Sequence, residues 1–318
     1  MRHQATMVSK VKEYLQLRRK LGFQMRSQGE MLLQFAKSLD HSGHRGPLTT
    51  DMALRWANRP QLSRSSCAKR LSAVRCFARY LAVRDGRTEI PDRYLVPKVC
   101  FRQRPHLYSQ RELEQLLQAT DRLRPSYPLK RLVYRTLFGL LACTGLRISE
   151  ALKLNASHVD LKHRVLRIEK TKFKKSRLVP LHPTANRALR RYADARYGQQ
   201  TACDDSPFFV NQHGNRLTYA AVRWAFEHLR DLLGWKNGNG EWPRPRIHDL
   251  RHTFACRRLL SWYRQGKNVQ NLIVALSTYM GHGKVTDTYW YLTGTPELLG
   301  IAGSRFEQFA HTGKGERA

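Results

Sequence analysis

Acidic side chains are scarce in this sequence. Asp and Glu together number 24 against 57 Lys and Arg, giving a formal net charge of +33 over 318 residues. A folded chain this basic repels itself unless a polyanion compensates. Nucleic acid is the expected partner, with binding that weakens steeply as salt rises. Long apolar runs are also missing. The best candidate, Leu137 to Leu146, is too short to span a bilayer, so no membrane association is expected. The amino terminus has no continuous apolar region ending in a small-residue cleavage site, which argues against secretion. The six cysteines (Cys67, Cys76, Cys100, Cys143, Cys203, Cys256) contain no Cys-x-x-Cys pair, and buried thiols are expected, not disulfides or zinc ligands. There is no internal repeat and no low-complexity tract.

What is present reads as two domains, each able to bury a core. The first ninety or so residues read as all helical. Val8, Val11 and Leu15 share a face between Thr6 and Lys20. Ser27-Gln28-Gly29-Glu30 has the form of a capping box opening a second helix, and Thr50 to Ala57 forms a short third one that Pro60 ends. The clearest helix is Ser63 to Val83, where Cys67, Leu71, Val74, Phe77 and Leu81 repeat at helical spacing. Arg64, Lys69, Arg70, Arg75 and Arg79 occupy much of the rest of it. In a chain of this charge, such a one-signed surface is read as resting on DNA phosphates. Residues 91–107 are rich in proline and basic side chains and read as an interdomain linker.

The second domain opens on the capping box Ser109-Gln110-Arg111-Glu112. A long apolar helix from Leu132 follows, then the turn Thr144-Gly145-Leu146-Arg147 into a new helix. Between Ser157 and Pro183 the period changes. Val165, Leu166, Ile168 and then Leu178, Val179, Leu181 read as two short strands around a Lys-rich turn, with a third strand at Pro207 to Val210. Helices are expected again from Thr184, Leu217, His248, Val269 and Val285, and a weak terminal helix over Pro296 to Ala310. The fold class is mainly α with a small antiparallel β-sheet.

The side chains that bear chemistry cluster late. His248 and Arg251 are three apart, so on a helix they reach one ligand. His248 to His252 also has the spacing of a zinc pair, but position 249 is Asp and an arginine beside the ligand face opposes a dication. Arg147 is a second cation. Two guanidinium groups can hold both non-bridging oxygens of a phosphodiester, whose charge grows in the transition state. Glu150 is placed to orient Arg147. A phenol with a pKa near ~10 can serve as nucleophile if cations stabilise its anion, and Tyr289 and Tyr291 compete for that role beside Trp290. A lysine desolvated in the strand turn can protonate a leaving oxygen, with Lys170, Lys172, Lys174 and Lys175 as the choices.

Together these segments resemble the tyrosine recombinases of the phage integrase family. Thr144 to Leu152 is similar to the first arginine box, and Lys172 before Arg177-Leu178-Val179-Pro180-Leu181 to the β-hairpin lysine. His248-Asp249-Leu250-Arg251 resembles the His-x-x-Arg box. Met280-Gly281-His282 resembles the Leu-Gly-His box, with Met for the usual leucine, and Tyr291 stands at the nucleophile's spacing. Thr171 and Phe173 stand where small glycines are frequent, and Thr286 to Leu292 looks more like transposon-borne members than chromosome-dimer resolvases. The resemblance spans about residues 108 to 293. It implies an all-helical core-binding domain (1–90), a basic linker (91–107), an α+β catalytic domain (108–295) and a tail (296–318) for subunit contact.

It further implies Tyr291 as nucleophile, Arg147, Arg251 and His282 on the phosphate, Lys172 as acid, His248 as helper, Glu150 in support, and Lys174 and Lys175 on DNA. The activity implied is site-specific recombination through a 3′-phosphotyrosyl link and a Holliday junction, without ATP, metal or other cofactor. The implied substrate is double-stranded DNA with inverted half-sites, acted on by a homo-tetramer on two duplexes with accessory recombination proteins, in a bacterial cytoplasm at the nucleoid. A DNA-relaxing enzyme of type IB and a catalytically silent DNA-binding factor are the alternatives. The first would relax DNA without exchanging partners, and the second would not be trapped on nicked suicide DNA.

Overall fold

The structure, a computed structural model, describes residues 6–96, 105–124, 128–169, 176–198, 203–235, 244–293, 300, 303–304 and 307. The chain divides into two compact units, Met1–Arg102 and Gln103–Ala318.

The first unit contains α1 (Met7–Lys20), α2 (Arg26–His41), α3 (Thr50–Ala57) and α4 (Arg64–Ala82). Short polar side chains start three of them. The hydroxyls of Thr6, Thr49 and Ser63 accept from the amides of Ser9, Met52 and Ser66, satisfying donors that a helix start leaves open. Asp40 at the end of α2 also caps α1, accepting from the amides of Met7 and Val8 at 2.8 and 2.9 Å. Val11, Leu15, Leu32, Phe35, Leu71, Val74 and Phe77 make the centre of the core. The capping box expected at Ser27 is not formed. The Gly29 amide already donates to the Met25 carbonyl at 2.9 Å, so α2 is running before Ser27, and it starts from Met25 in the left-handed region (φ 49) with no side-chain cap. Gly29 is packed closely against α1, where a Cβ would sit 3.3 Å from a Leu15 methyl.

In the second unit, α5 (Gln110–Ala119) begins on the expected box. Ser109 Oγ accepts from the Glu112 amide, and Glu112 accepts from the Ser109 amide. Around the central α6 (Lys130–Thr144) are α7 (Ile148–Leu152), α8 (Pro183–Tyr197), α9 (Tyr219–Leu232) and α10 (Ile247–Arg264). α11 (Val269–Met280) and α12 (Thr286–Tyr289) follow. The single helix expected over Val285 to Leu292 is therefore split, because a 3₁₀ turn, Trp290–Thr293, replaces its last part. The antiparallel sheet has the order β1 (Val159–Asp160), β2 (Val165–Ile168), β3 (Arg177–Pro180), with Leu166 opposite Val179 and Ile168 opposite Arg177.

The third strand differs from expectation. Residues 207–210 make only isolated bridges, Asn155 with Pro207 and Val210 with Arg216. Consecutive Phe208 and Phe209 are both buried, packed on Tyr192, which a strand with one face outward does not allow. Burial of thiols also holds only in part: Cys67 and Cys256 are buried, whereas Cys76, Cys143 and Cys203 are exposed. Cys100, part of the linker and most of the tail lie outside the described residues. Among the described residues no helix is long and apolar enough to cross a membrane, and no cluster of three His, Cys, Asp or Glu side chains could hold a metal.

Gly145 ends α6 with φ 63, and a Cβ there would lie 2.5 Å from Cδ1 of Phe254 on α10. Gly145→Ala is therefore expected to destabilise the protein by about 2–3 kcal/mol in denaturant unfolding, from the left-handed backbone and the displaced ring together. A loss below about 1 kcal/mol would mean that the turn and ring move aside easily.

Candidate active site

Three chain turns and the 3₁₀ segment Trp290–Thr293 bring the candidate residues together. The turn at Gly145 delivers Arg147 to the start of α7, the first turns of α10 carry His248 and Arg251, and the Gly281 turn after α11 carries His282. Arg251 is only 2% exposed. Its terminal nitrogens donate to the carbonyls of Gly145 and Met280, both at 2.6 Å, so one guanidinium ties the first turn to the third. Arg147 donates to Glu150 Oε1 at 2.9 Å and to the Gly281 carbonyl at 3.0 Å. Each terminal guanidinium nitrogen carries a second N–H, so both arginines keep donors for an anion.

Tyr291 joins them from the same chain. It is 3% exposed, whereas its rival Tyr289 is 47% exposed. The Tyr291 ring lies among His252, Trp290 and His282, with centroids at 5.3, 5.9 and 5.9 Å. Burial pushes the phenol pKa up, opposed by the charge of Arg251, a hydrogen bond from it and the charge of Arg147. Those are the interactions that would stabilise a phenolate. The His282 ring nitrogen Nδ1 pairs with Thr288 Oγ1 at 2.7 Å, leaving Nε2 for the site. Burial, then the charges of Arg251 and Arg147, bring His282 down to about 4. Arg251 itself falls to about 10 through burial and the nearby Arg147. His248 keeps an exposed edge, yet the protein atoms around its ring and Arg251 lower its pKa. Asp249 is fully buried and accepts from the Arg246 amide and guanidinium, so it caps α10 and does not face the site.

These shifts carry a pH consequence. A histidine whose folded pKa lies below its unfolded value binds its proton more readily when unfolded. Stability present above about pH 6.5 is therefore lost as pH falls toward 4. The expected loss between pH 7 and 5 is about 1–2 kcal/mol from this group. Denaturant unfolding should show a smaller pH dependence for His282→Gln. An unchanged dependence would show that His282 is not held neutral.

Two contributors carry little or no mark in the sequence. Arg177 on β3 donates to both oxygens of Glu150. Thr288 is fully buried against His282. Arg177 has a weak signal, because it alternates with buried Val179 and so puts a charge on the core face of a strand. Nothing near Thr288 marks it. Lys172, Lys174 and Lys175 lie outside the described residues.

The five basic residues expected on one surface of α4 do not share one. Arg64, Lys69 and Arg79 are exposed, and Arg75 is half-buried. Arg70 turns toward α3 and stacks its guanidinium 3.7 Å from the Trp56 ring centroid, and burial lowers its pKa. The reason is angular: at about 100° per residue, Arg70 falls on the Val74–Phe77 side of the helix, away from Arg64 and Arg75.

The model of the phage integrase family matches residues 107–297. The chain belongs to the phage integrase family. A putative integrase/recombinase, y4rB, of Sinorhizobium fredii is 42% identical, covering 94% of this chain and 96% of the relative. The tyrosine recombinase XerC of Bacillus subtilis is 31% identical over 75% of this chain and 73% of its own length. This family member is accordingly a DNA strand-transfer enzyme of the tyrosine recombinase type. Among solved structures, the Tn1549 transposon integrase in complex with circular-intermediate DNA aligns with a TM-score of 0.69 at 17% identity, over 96% of this chain and 99% of that one. XerH recombinase, bound to its palindromic difH substrate, aligns at 0.66 and 21%, over 96% and 86%. At these identities both show that the fold is shared.

Proposed function

We propose that this enzyme is a site-specific DNA recombinase that works through a covalent tyrosyl intermediate. The scissile phosphodiester is held by the remaining N–H groups of Arg147 and Arg251. Tyr291 Oη attacks phosphorus, the P–O5′ bond breaks, and the products are a 3′-phosphotyrosyl bond and a free 5′-hydroxyl. Charge gathering on the non-bridging oxygens is met by the two guanidinium groups, of which that of Arg251 is shielded from water. His282, neutral before DNA arrives, accepts the phenol proton through Nε2 as Tyr291 attacks, and the incoming phosphate raises its proton affinity. His248 assists at the rim. Lys172, by the resemblance of its segment to the family's lysine, protonates the leaving 5′ oxygen. Attack by a partner strand's 5′-hydroxyl reverses the step, so the bond energy is conserved and no ATP is consumed. Four protomers on two duplexes carrying inverted half-sites would exchange strands through a Holliday junction. Integration, excision or resolution of a mobile element fits such a reaction.

The observation that carries this reading is the burial of Tyr291 beside Arg251 within one chain. A nicked suicide duplex bearing the natural site should trap the protein covalently. Mass spectrometry of the digested adduct should place the nucleotide on the peptide containing Tyr291. An adduct on Tyr289, or none, would overturn it.

A further inference from the structure

Glu150 is a carboxylate with a 5% exposed side chain, set among cations, and its bonds are divided unequally. Oε1 accepts from Arg147 at 2.9 Å and Arg177 at 3.1 Å, whereas Oε2 accepts from the Arg147 backbone amide at 3.0 Å and Arg177 at 2.9 Å. The two-pronged guanidinium partner of Glu150 is therefore Arg177, and Arg147 gives it a single side-chain bond. Arg177 Nε donates in turn to the Tyr279 carbonyl at 2.7 Å, in the last turn of α11. Gly281 lies so close that a Cβ there would sit 2.6 Å from a terminal nitrogen of Arg177. The Arg177 side chain is 11% exposed, and all three of its nitrogens are engaged by protein.

We infer that Arg177 is a positioning residue for DNA cleavage: it occupies the carboxylate of Glu150 so that Arg147 stays turned to the scissile phosphate, and it seats the turn that carries His282. This rests on the reading of Arg147 and His282 as phosphate-facing groups. Without Arg177, Arg147 is the nearest remaining counter-charge to Glu150. A fork-to-fork pair between them would draw the Arg147 donors off the phosphate. Arg177 itself does not contact DNA, so it differs from a phosphate ligand in what its loss does to binding.

The pH dependence provides a second signature. Burial favours the neutral form of Glu150, and the bonds and charge of Arg177, then those of Arg147, hold it ionised. Arg251 is the other cation acting with it across the site, and Lys153, His158, Arg167 and Glu169 line the adjoining cavity. Removing Arg177 lets the carboxyl rise toward the working range, and a protonated Glu150 no longer draws Arg147 off the phosphate, so the variant's deficit shrinks at lower pH.

The test uses the full chain with Arg177→Gln and Arg177→Lys, in single-turnover cleavage of a suicide duplex and in equilibrium binding across a salt series. For the Gln variant, cleavage should fall about a hundredfold relative to the parent at pH 8 and by less at pH 6, with affinity within about threefold and an unchanged salt slope. Adding Glu150→Gln should remove the extra loss at pH 8 and with it the pH dependence of the deficit, and the Lys variant should recover about tenfold. Cleavage within about threefold of the parent, or a deficit equal at both pH values, would overturn the inference. So would a salt slope reduced by about one, the mark of a direct phosphate contact. If the Gln variant does not fold, the Lys variant measured at the two pH values decides by the same criteria. Failure of this inference leaves the tyrosyl mechanism standing so long as the adduct still maps to Tyr291.

Discussion

Tyr291→Phe is expected to bind its DNA site with affinity within about twofold of the parent and to form no covalent adduct, a loss of at least about 10⁴-fold in cleavage. The substitution removes one atom, the attacking oxygen. Everything that places the ring is left intact: the neighbours His252, Trp290 and His282, and the backbone carbonyl facing the Cys256 thiol at 3.7 Å. The hydroxyl's interaction with Arg251 is lost, at a cost of about 1 kcal/mol or less, because the guanidinium retains the carbonyls of Gly145 and Met280. Folding should therefore survive, and binding, which depends on the cations, should survive with it. The measurement is a denaturing gel of protein on suicide duplex beside a mobility-shift titration. A surviving adduct would move the nucleophile elsewhere, and a parallel collapse of binding would make Tyr291 a structural residue.

Arg251→Lys is expected to reduce single-turnover cleavage by about 10³-fold and to destabilise the protein by about 1–3 kcal/mol. Arg251 is planar, 2% exposed and forked between two backbone carbonyls at 2.6 Å. An ammonium at the end of a flexible stem cannot hold both carbonyls and a phosphate oxygen in that geometry. One buried carbonyl is left unpaired, and the link between the Gly145 and Gly281 turns is weakened. The charge also suffers. Burial and Arg147 already bring the guanidinium down to about 10, and a lysine starts from a lower value, so a larger share of it would be neutral at the site. Unfolding and cleavage should therefore both respond, unlike the Tyr291 variant, which separates them. A cleavage loss under tenfold would show that Arg251 serves chiefly to join the turns.

The division between local and tertiary information follows the residues. α1, α3, α4 and α5 are legible in the sequence because capping hydroxyls and 3.6-residue periodicity are local signals. The start of α2 is not, because the Gly29 amide is already bonded to the Met25 carbonyl, so the helix is running before the capping sequence could open it. Nor is the third strand, because the choice between Val159–Asp160 and residues 207–210 turns on which segment finds the free edge of β2. The basic surface of α4 looks continuous in the sequence because composition counts charges without saying which of them stacks on an aromatic ring.

By itself the sequence determined the polyanion-seeking charge, the mainly helical class with a small sheet, and the set of residue types able to hold and attack a phosphodiester. These depend on composition and on spacings of a few residues, which physical chemistry ties directly to local structure. Only the tertiary structure decided that Tyr291 is buried beside Arg251 while Tyr289 faces outward, that Arg251 closes two turns, and that Glu150 belongs first to Arg177. Those facts join positions far apart in the chain. Their energies come from burying a charge with its partners, a quantity that no single stretch of sequence contains.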